Sequence, residues 1–312
     1  MQIAFQLFLL VGGLAVALVA SDRAVAYTRA LAAALGAPAF IVGVALVSIG
    51  TDLPEIANSI AAHVQGEGDV NVGDSVGSTL TQYTFVLGLF PLVVVIAINR
   101  LEVGLVTVFT VGGLALTTLF VADGWLGRLD GAILVLAWAV STVVIVMLLP
   151  GHAVDKPPTV AVGNRLAQAG VVVVTLVFVG FGATVAVRAL VRLAELAGVP
   201  EFVIAFFGAS LGTSAPEIVV DFTALVRGAP GIALGDAIGS SLVDATLSIG
   251  VGPLVAPAEV TPRLAVVGSV YTLVAVAVVG TLLAARRRHD RATGLVLVAL
   301  YAFSYVVLIE AA

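Results

Sequence analysis

Gly50-Thr51-Asp52-Leu53-Pro54-Glu55-Ile56 returns, with two changes, as Gly212-Thr213-Ser214-Ala215-Pro216-Glu217-Ile218. The offset of 162 residues holds without a gap well beyond this stretch: Gly36, Pro38, Gly73, Asp74, Gly77, Ser78, Gly88 and Pro91 fall on Gly198, Pro200, Gly235, Asp236, Gly239, Ser240, Gly250 and Pro253. Similar apolar composition repeats Ala, Val and Leu, but it does not repeat Gly, Pro and carboxylates in register. The chain is an internal duplication, and such a repeat specifies an architecture.

Around the motif the chain is made for lipid. Of 312 residues, 61% are hydrophobic and 11% charged, with a mean hydropathy of +1.19, whereas a soluble domain carries about 25% charged residues. A spanning helix needs roughly 20 apolar residues to cross about 30 Å of hydrocarbon. Ten stretches qualify, near 3–20, 39–63, 71–97, 101–121, 129–149, 166–190, 201–226, 231–254, 264–285 and 293–309. They are apolar on every face, unlike the alternating strands of a barrel, so the expected fold is an all-α polytopic membrane protein. The n-region MQIAFQ has no Lys or Arg, which argues against a cleaved signal peptide despite the ALVA before Ser21.

Fourteen basic residues against nineteen acidic ones offer no stripe for a phosphate backbone, so nucleic acid is not an expected partner. Zero cysteines and three histidines, His63, His152 and His289, leave little for thiolate or zinc chemistry. Ten of the fourteen basic residues fall on one face of the expected topology and four on the other. The positive-inside rule puts the richer face in the cytoplasm, with the polar linker 151–165, and both termini outside. That linker divides the chain into a first repeat, 1–150, and a second, 166–312. Five helices is an odd number, so the second half is expected to enter the membrane inverted. Ten helices in two inverted five-helix repeats are the plan of secondary transporters working by alternating access.

The repeated motifs lie near mid-membrane. Pro54 and Pro216 withhold backbone donors, and carbonyls freed in lipid are costly unless something binds them. Beside them stand Thr51 and Thr213, with Glu55 and Glu217 four residues later on the same helix face. These helices contain no Lys or Arg, so a bound cation is the expected counter-charge. Ser78 with Gln82, and Ser240 with Asp244, are spaced i, i+4 and form a second wall. An all-oxygen set suits hard cations, Ca²⁺ above all and Na⁺ in the hydroxyl and carbonyl pockets, and disfavours transition metals.

Other residues have structural expectations. Gly73, Gly77, Gly235 and Gly239 read as packing sites, and Asp74 and Asp236 as N-terminal caps. Asp221, whose counterpart is Ser59, lines an access path or reaches water. His63 reads as interfacial, and Arg286-Arg287-Arg288 as a topology anchor touching lipid headgroups.

The paired G-T-[SD]-x-P-E…G-D-x-x-G-S blocks resemble the repeats of the sodium/calcium exchangers of the cation/Ca²⁺ exchanger superfamily, in the ten-helix prokaryotic form. The resemblance implies exchange of several Na⁺ for one Ca²⁺, with the first and sixth helices sliding over the ions as a gate. It implies ligands at Ser48, Thr51, Asp52, Glu55, Ser78 and Gln82, and at Ser210, Thr213, Ser214, Glu217, Ser240 and Asp244. It implies no cofactor, inorganic cations and the lipid bilayer as partners, no protein partner, and a functional monomer in the cell membrane. Asp52 stands where the family usually has Ser, Gln82 where it has Asn, and Thr79 and Ser241 where Asn follows Gly-Ser. Asp52 adds a fourth carboxylate, and crowded like charges favour a retained proton. Exchange that includes H⁺ is therefore the alternative to Na⁺/Ca²⁺ antiport. The Gly235-Asp236 pair lacks the first Gly of an intramembrane aspartyl protease motif, position 233 being Ala. A passive channel does not explain two inverted halves with broken helices.

Overall fold

In the computed structural model, which describes residues 2–149, 160, 164–197 and 214–311, with side chains as far as 307, the chain is almost entirely helical. In order the helices are α1 (Gln2–Leu35), α2 (Ala39–Val42), α3 (Ser48–Thr51), α4 (Leu53–Gln65), α5 (Gly68–Leu80), α6 (Leu87–Leu89), α7 (Arg100–Val121), α8 (Arg128–Leu148), α9 (Arg165–Leu196), α10 (Ala215–Val226), α11 (Pro230–Val243), α12 (Ile249–Val255), α13 (Pro262–Arg286) and α14 (Arg291–Ala311). Turns of π-helix join α2 to α3 at Gly43–Val47, α5 to α6 at Thr81–Val86 and α11 to α12 at Asp244–Ser248. Among the described residues six helices are long and apolar enough to cross a membrane, and the broken pair Ala39–Thr51 with Leu53–Gln65 counts as a seventh. The chain is a multi-pass membrane protein. Of the expected stretch 201–226, only the part from Ser214 lies within the described residues.

Two compact units share the chain, Met1–Leu53 with Gly151–Asp236, and Pro54–Pro150 with Ala237–Ala312. In the first unit α1 packs along α9. Gly13 and Gly182 make this possible: a Cβ on Gly13 would sit 2.6 Å from the Gly182 carbonyl oxygen, and one on Gly182 2.7 Å from that of Gly13. Ala17, Ala183 and Ala186 continue the buried seam, the small-residue packing that lets membrane helices approach closely. At 34 residues, α1 is about 50 Å long and runs 15 residues past the expected end at position 20. Its polar residues do not stop the helix because they bind neighbouring helices. The Ser21 hydroxyl donates to the Val219 carbonyl at 3.3 Å, and the buried Arg29 donates to the Arg227 carbonyl at 2.8 Å. That carbonyl closes α10, where a cation is favoured by the exposed C-terminal carbonyls. Asp22 pairs with Arg227 at 2.6 Å.

The second unit is held at its helix ends by two small ribbons, and between helices by close glycine contacts. β1 (Ile96–Ala97) pairs antiparallel with β4 (Arg288–His289), and β2 (Trp125–Leu126) with β3 (Ala258–Glu259). The ribbons are counterparts in sequence, since Ile96 and Ala258 stand 162 positions apart and Leu126 and His289 stand 163 apart. The same relation links two backbone contacts, Gly88 against Gly294 and Gly131 against Gly250. An apolar core of Val72, Val76, Val121, Leu126, Leu134 and Ile249 lies nearby.

His289 closes the loop between α13 and α14. It is fully buried, with Nε2 2.6 Å from the Leu87 carbonyl and Nδ1 2.8 Å from Thr293 Oγ1. Burial holds its imidazole below the ordinary value, while the Leu87 carbonyl and then Asp290 pull the other way. An unfolded histidine takes its proton near 6.5 and the buried one only at lower pH, so the unfolded chain binds more protons in between and stability falls as pH drops through that window. Thermal midpoints of the detergent-solubilised protein should decline between pH 7 and pH 5, and His289→Gln should flatten that decline. An equally steep decline in the variant would assign it to other groups.

Candidate cation site

The two copies of the motif share a backbone conformation at the same step. Asp52 has φ −80° and ψ 6°, and its counterpart Ser214 has φ −80° and ψ 9°, the sparsely allowed bridge region between helix and strand. Pro54 follows two residues later, where its missing N–H costs the helix a bond, and Pro216 sits in the first turn of α10. The Ser48 carbonyl keeps its helical partner, the Asp52 amide at 3.0 Å, so the gap left by Pro54 falls at Gly50, four residues before it.

In the first unit this break brings hydroxyls and carboxylates together out of water. The Ser48 hydroxyl donates to the Val44 carbonyl at 2.6 Å. Thr51 Oγ1 lies 3.2 Å from the Val47 carbonyl, 3.1 Å from that of Ser48 and 3.2 Å from Asp236 Oδ1. Carboxylate oxygens of Asp52 and Glu217 lie within 4.8 Å of each other. Asp221, one turn beyond Glu217, stands beside both Glu217 and Asp236. Asp52, Ser214, Glu217, Asp221 and Asp236 are all fully buried.

Two expectations are corrected here. Asp236 is not a cap: it lies at the seventh position of α11 and accepts the Thr51 hydroxyl. Asp221 does not reach water. The spacing that would have placed it was available, because i, i+4 puts Asp221 on the Glu217 face of α10. Ser210 and Thr213 lie outside the described residues.

In the second unit Glu55 occupies the first turn of α4 and is buried. Ser78, Gln82, Ser240 and Asp244 are likewise buried, with Gln82 and Asp244 each on a π turn. Such turns shift helix register and recur at functional sites. Gln82 Nε2 donates toward Ser78 Oγ at 3.2 Å and Asp244 Oδ2 at 3.4 Å. Asp74 is again no cap, since it sits within α5 and accepts from Asn58 Nδ2 at 2.7 Å. His63 is buried rather than interfacial, its Nδ1 lying 2.8 Å from the Ala256 carbonyl. Ser59, the counterpart of Asp221, accepts the Gly252 amide at 3.0 Å.

A buried hydroxyl that serves a carboxylate should matter to stability. Thr51→Val keeps the volume and removes the donor to Asp236; it is expected to cost about 1–3 kcal/mol and to lower the thermal midpoint in detergent. An unchanged midpoint would mean that Asp236 does not depend on this hydroxyl.

Fold and site together define a polytopic membrane protein with buried carboxylates set among hydroxyl and amide groups at helix breaks. The profile of the family described as sodium/calcium exchanger protein matches residues 5–147 and 167–310, and the chain belongs to that family. It is 30% identical over 268 residues to the inner membrane protein YrbG of Escherichia coli (strain K12), covering 81% of each chain. It is 25% identical over 303 residues to the sodium/calcium exchanger MaX1 of Methanosarcina acetivorans, covering 83% of this chain and 85% of that one. Its fold matches the solved sodium–calcium exchanger NCX_Mj soaked with Na⁺ and Sr²⁺, with a TM-score of 0.82, 22% identity, and 97% and 99% of the two chains covered.

Proposed function

We propose that this chain is an antiporter that exchanges Na⁺ for Ca²⁺ by alternating access. The observation that carries the reading is the buried approach of Asp52 and Glu217, on helices whose sequences contain no Lys or Arg. Two like charges this close are relieved by a cation or by a proton, and Ca²⁺ accepts six to eight oxygens of the kinds present. In this reading Ser48, Thr51, Asp52, Ser210, Thr213, Ser214 and Glu217 hold the ions together with Glu55, Ser78, Gln82, Ser240 and Asp244. Glu55 and Glu217 are the central carboxylates. The repeated motif, the matching backbone angles at Asp52 and Ser214, and the paired ribbons support ten helices in two inverted halves, 1–150 and 166–312, around the cytoplasmic linker 151–165. The distribution of basic residues supports termini outside the cell. The protein acts as a monomer, with no cofactor.

Proton coupling is the second reading, and Asp52 is the residue that favours it. Ca²⁺ uptake into proteoliposomes, driven by a Na⁺ gradient or a pH gradient in turn, separates the two. The Na⁺ gradient alone should suffice; uptake driven by the pH gradient alone would replace Na⁺/Ca²⁺ exchange with Ca²⁺/H⁺ exchange.

Glu217→Gln should abolish Ca²⁺ flux while leaving membrane insertion and the elution profile intact. Transport at the unaltered rate would remove Glu217 from the site. Asp52→Ser should shift the pH profile of uptake without abolishing it, and a fixed profile would exclude Asp52 as a proton-coupling group.

A further inference from the structure

Five buried residues of the second unit form a hydrogen-bond cluster centred on Gln82 that the ion-binding reading does not by itself require. Ser241 Oγ lies 3.2 Å from Gln82 Oε1 and 2.9 Å from the Ala237 carbonyl. Gln82 Nε2 lies 3.2 Å from Ser78 Oγ and 3.4 Å from Asp244 Oδ2. Thr79 Oγ1, which donates to the Ser75 carbonyl at 2.9 Å, lies 3.5 Å from the Ser241 carbonyl. All five residues are at most 1% exposed.

Acceptor chemistry sets which way the amide faces. An ionised Asp244 carboxylate only accepts, so the nitrogen of Gln82 faces it. The amide oxygen then faces Ser241 Oγ, whose single proton lies between it and the Ala237 carbonyl. The result is a pair of N–H donors standing where the surrounding oxygen groups would otherwise meet a cation. A hydrogen bond to a charged carboxylate is worth more than a neutral one, and here it occupies one of the two oxygens of Asp244 and the hydroxyl of Ser78.

We propose that Gln82, aimed by Ser241, does not itself hold an ion as the ligand set above has it, but is a built-in donor that competes with cations for Asp244 and Ser78, and so sets how many Na⁺ ions the chain binds. The proposal rests on the Na⁺/Ca²⁺ reading above and deepens it, because stoichiometry follows from how many oxygens the site leaves to ions. The length of the side chain is the determinant. Asparagine, shorter by one carbon–carbon bond of about 1.5 Å, carries the same amide but draws it back from Asp244. Ser241 touches no ion in this scheme and acts by holding the amide.

The test counts bound ions directly, by equilibrium dialysis of the detergent-solubilised full chain against radioactive Na⁺ alone. Gln82→Asn should bind one more Na⁺ per chain than the wild type, and adding Asp244→Asn should remove the gained ion. Ser241→Ala should gain the same ion with weaker affinity, and it decides the matter should Gln82→Asn fail to fold. A folded variant that keeps the wild-type count overturns the role of Gln82 while leaving Na⁺/Ca²⁺ exchange standing. A wild-type chain that binds no Na⁺ overturns the sodium reading itself.

Discussion

Buried carboxylate charge in an apolar solvent is the constraint around which this protein is organised. Asp52, Glu55, Glu217, Asp221, Asp236 and Asp244 are all withdrawn from water, and the helices that carry them contain no Lys or Arg. Moving such a group out of water costs several kcal/mol unless hydrogen bonds or a counter-charge offset it. Local hydrogen bonds supply part of that offset at Asp236 and Asp244, and a further one at the partly buried Asp74. Thr51 serves Asp236, Gln82 serves Asp244 and Asn58 serves Asp74. The helix break at Asp52 and the π turns that carry Gln82 and Asp244 turn polar groups toward one another where a regular helix would direct them elsewhere.

Around these groups the scaffold uses small residues and few polar contacts. Lipid tails are as apolar as the helices, so helix association gains little from hydrophobic burial and relies on close packing and hydrogen bonds. Gly13 against Gly182 lets α1 lie along α9, and Ser21 and Arg29 spend their polar groups on α10. Large exposed apolar side chains such as Ile3, Phe8, Val11 and Leu166 would be a liability in water and are ordinary against lipid. The ribbons and the buried His289 secure the loops between long helices.

Several residues show why a correct local rule can mislead. Asp74 and Asp236 follow glycines near the start of apolar runs, the usual setting of a helix cap. The observed helices begin six positions earlier, at Gly68 and Pro230, which moves both carboxylates into helix interiors. Ser241 looked like a mere departure from a familiar pattern, and its bond to Gln82 gives it a partner from the other repeat. Helices α1 and α9 run on to Leu35 and Leu196, past the expected ends at 20 and 190, and in α1 Ser21 and Arg29 bind a neighbouring helix instead of ending it.

The amino-acid sequence by itself determined the solvent, the helical class, the duplication and the carboxylates around which function is argued. These follow from composition and from periodic or repeated residue types, which need no knowledge of distant neighbours. Only the tertiary structure decided which polar groups meet: Thr51 with Asp236, Asp52 with Glu217, Gln82 with both Asp244 and Ser241. Those contacts join residues as many as 185 positions apart, and they depend on where helices break and how closely glycines let them approach. No local propensity encodes that arrangement, because packing chooses the partner of each buried group.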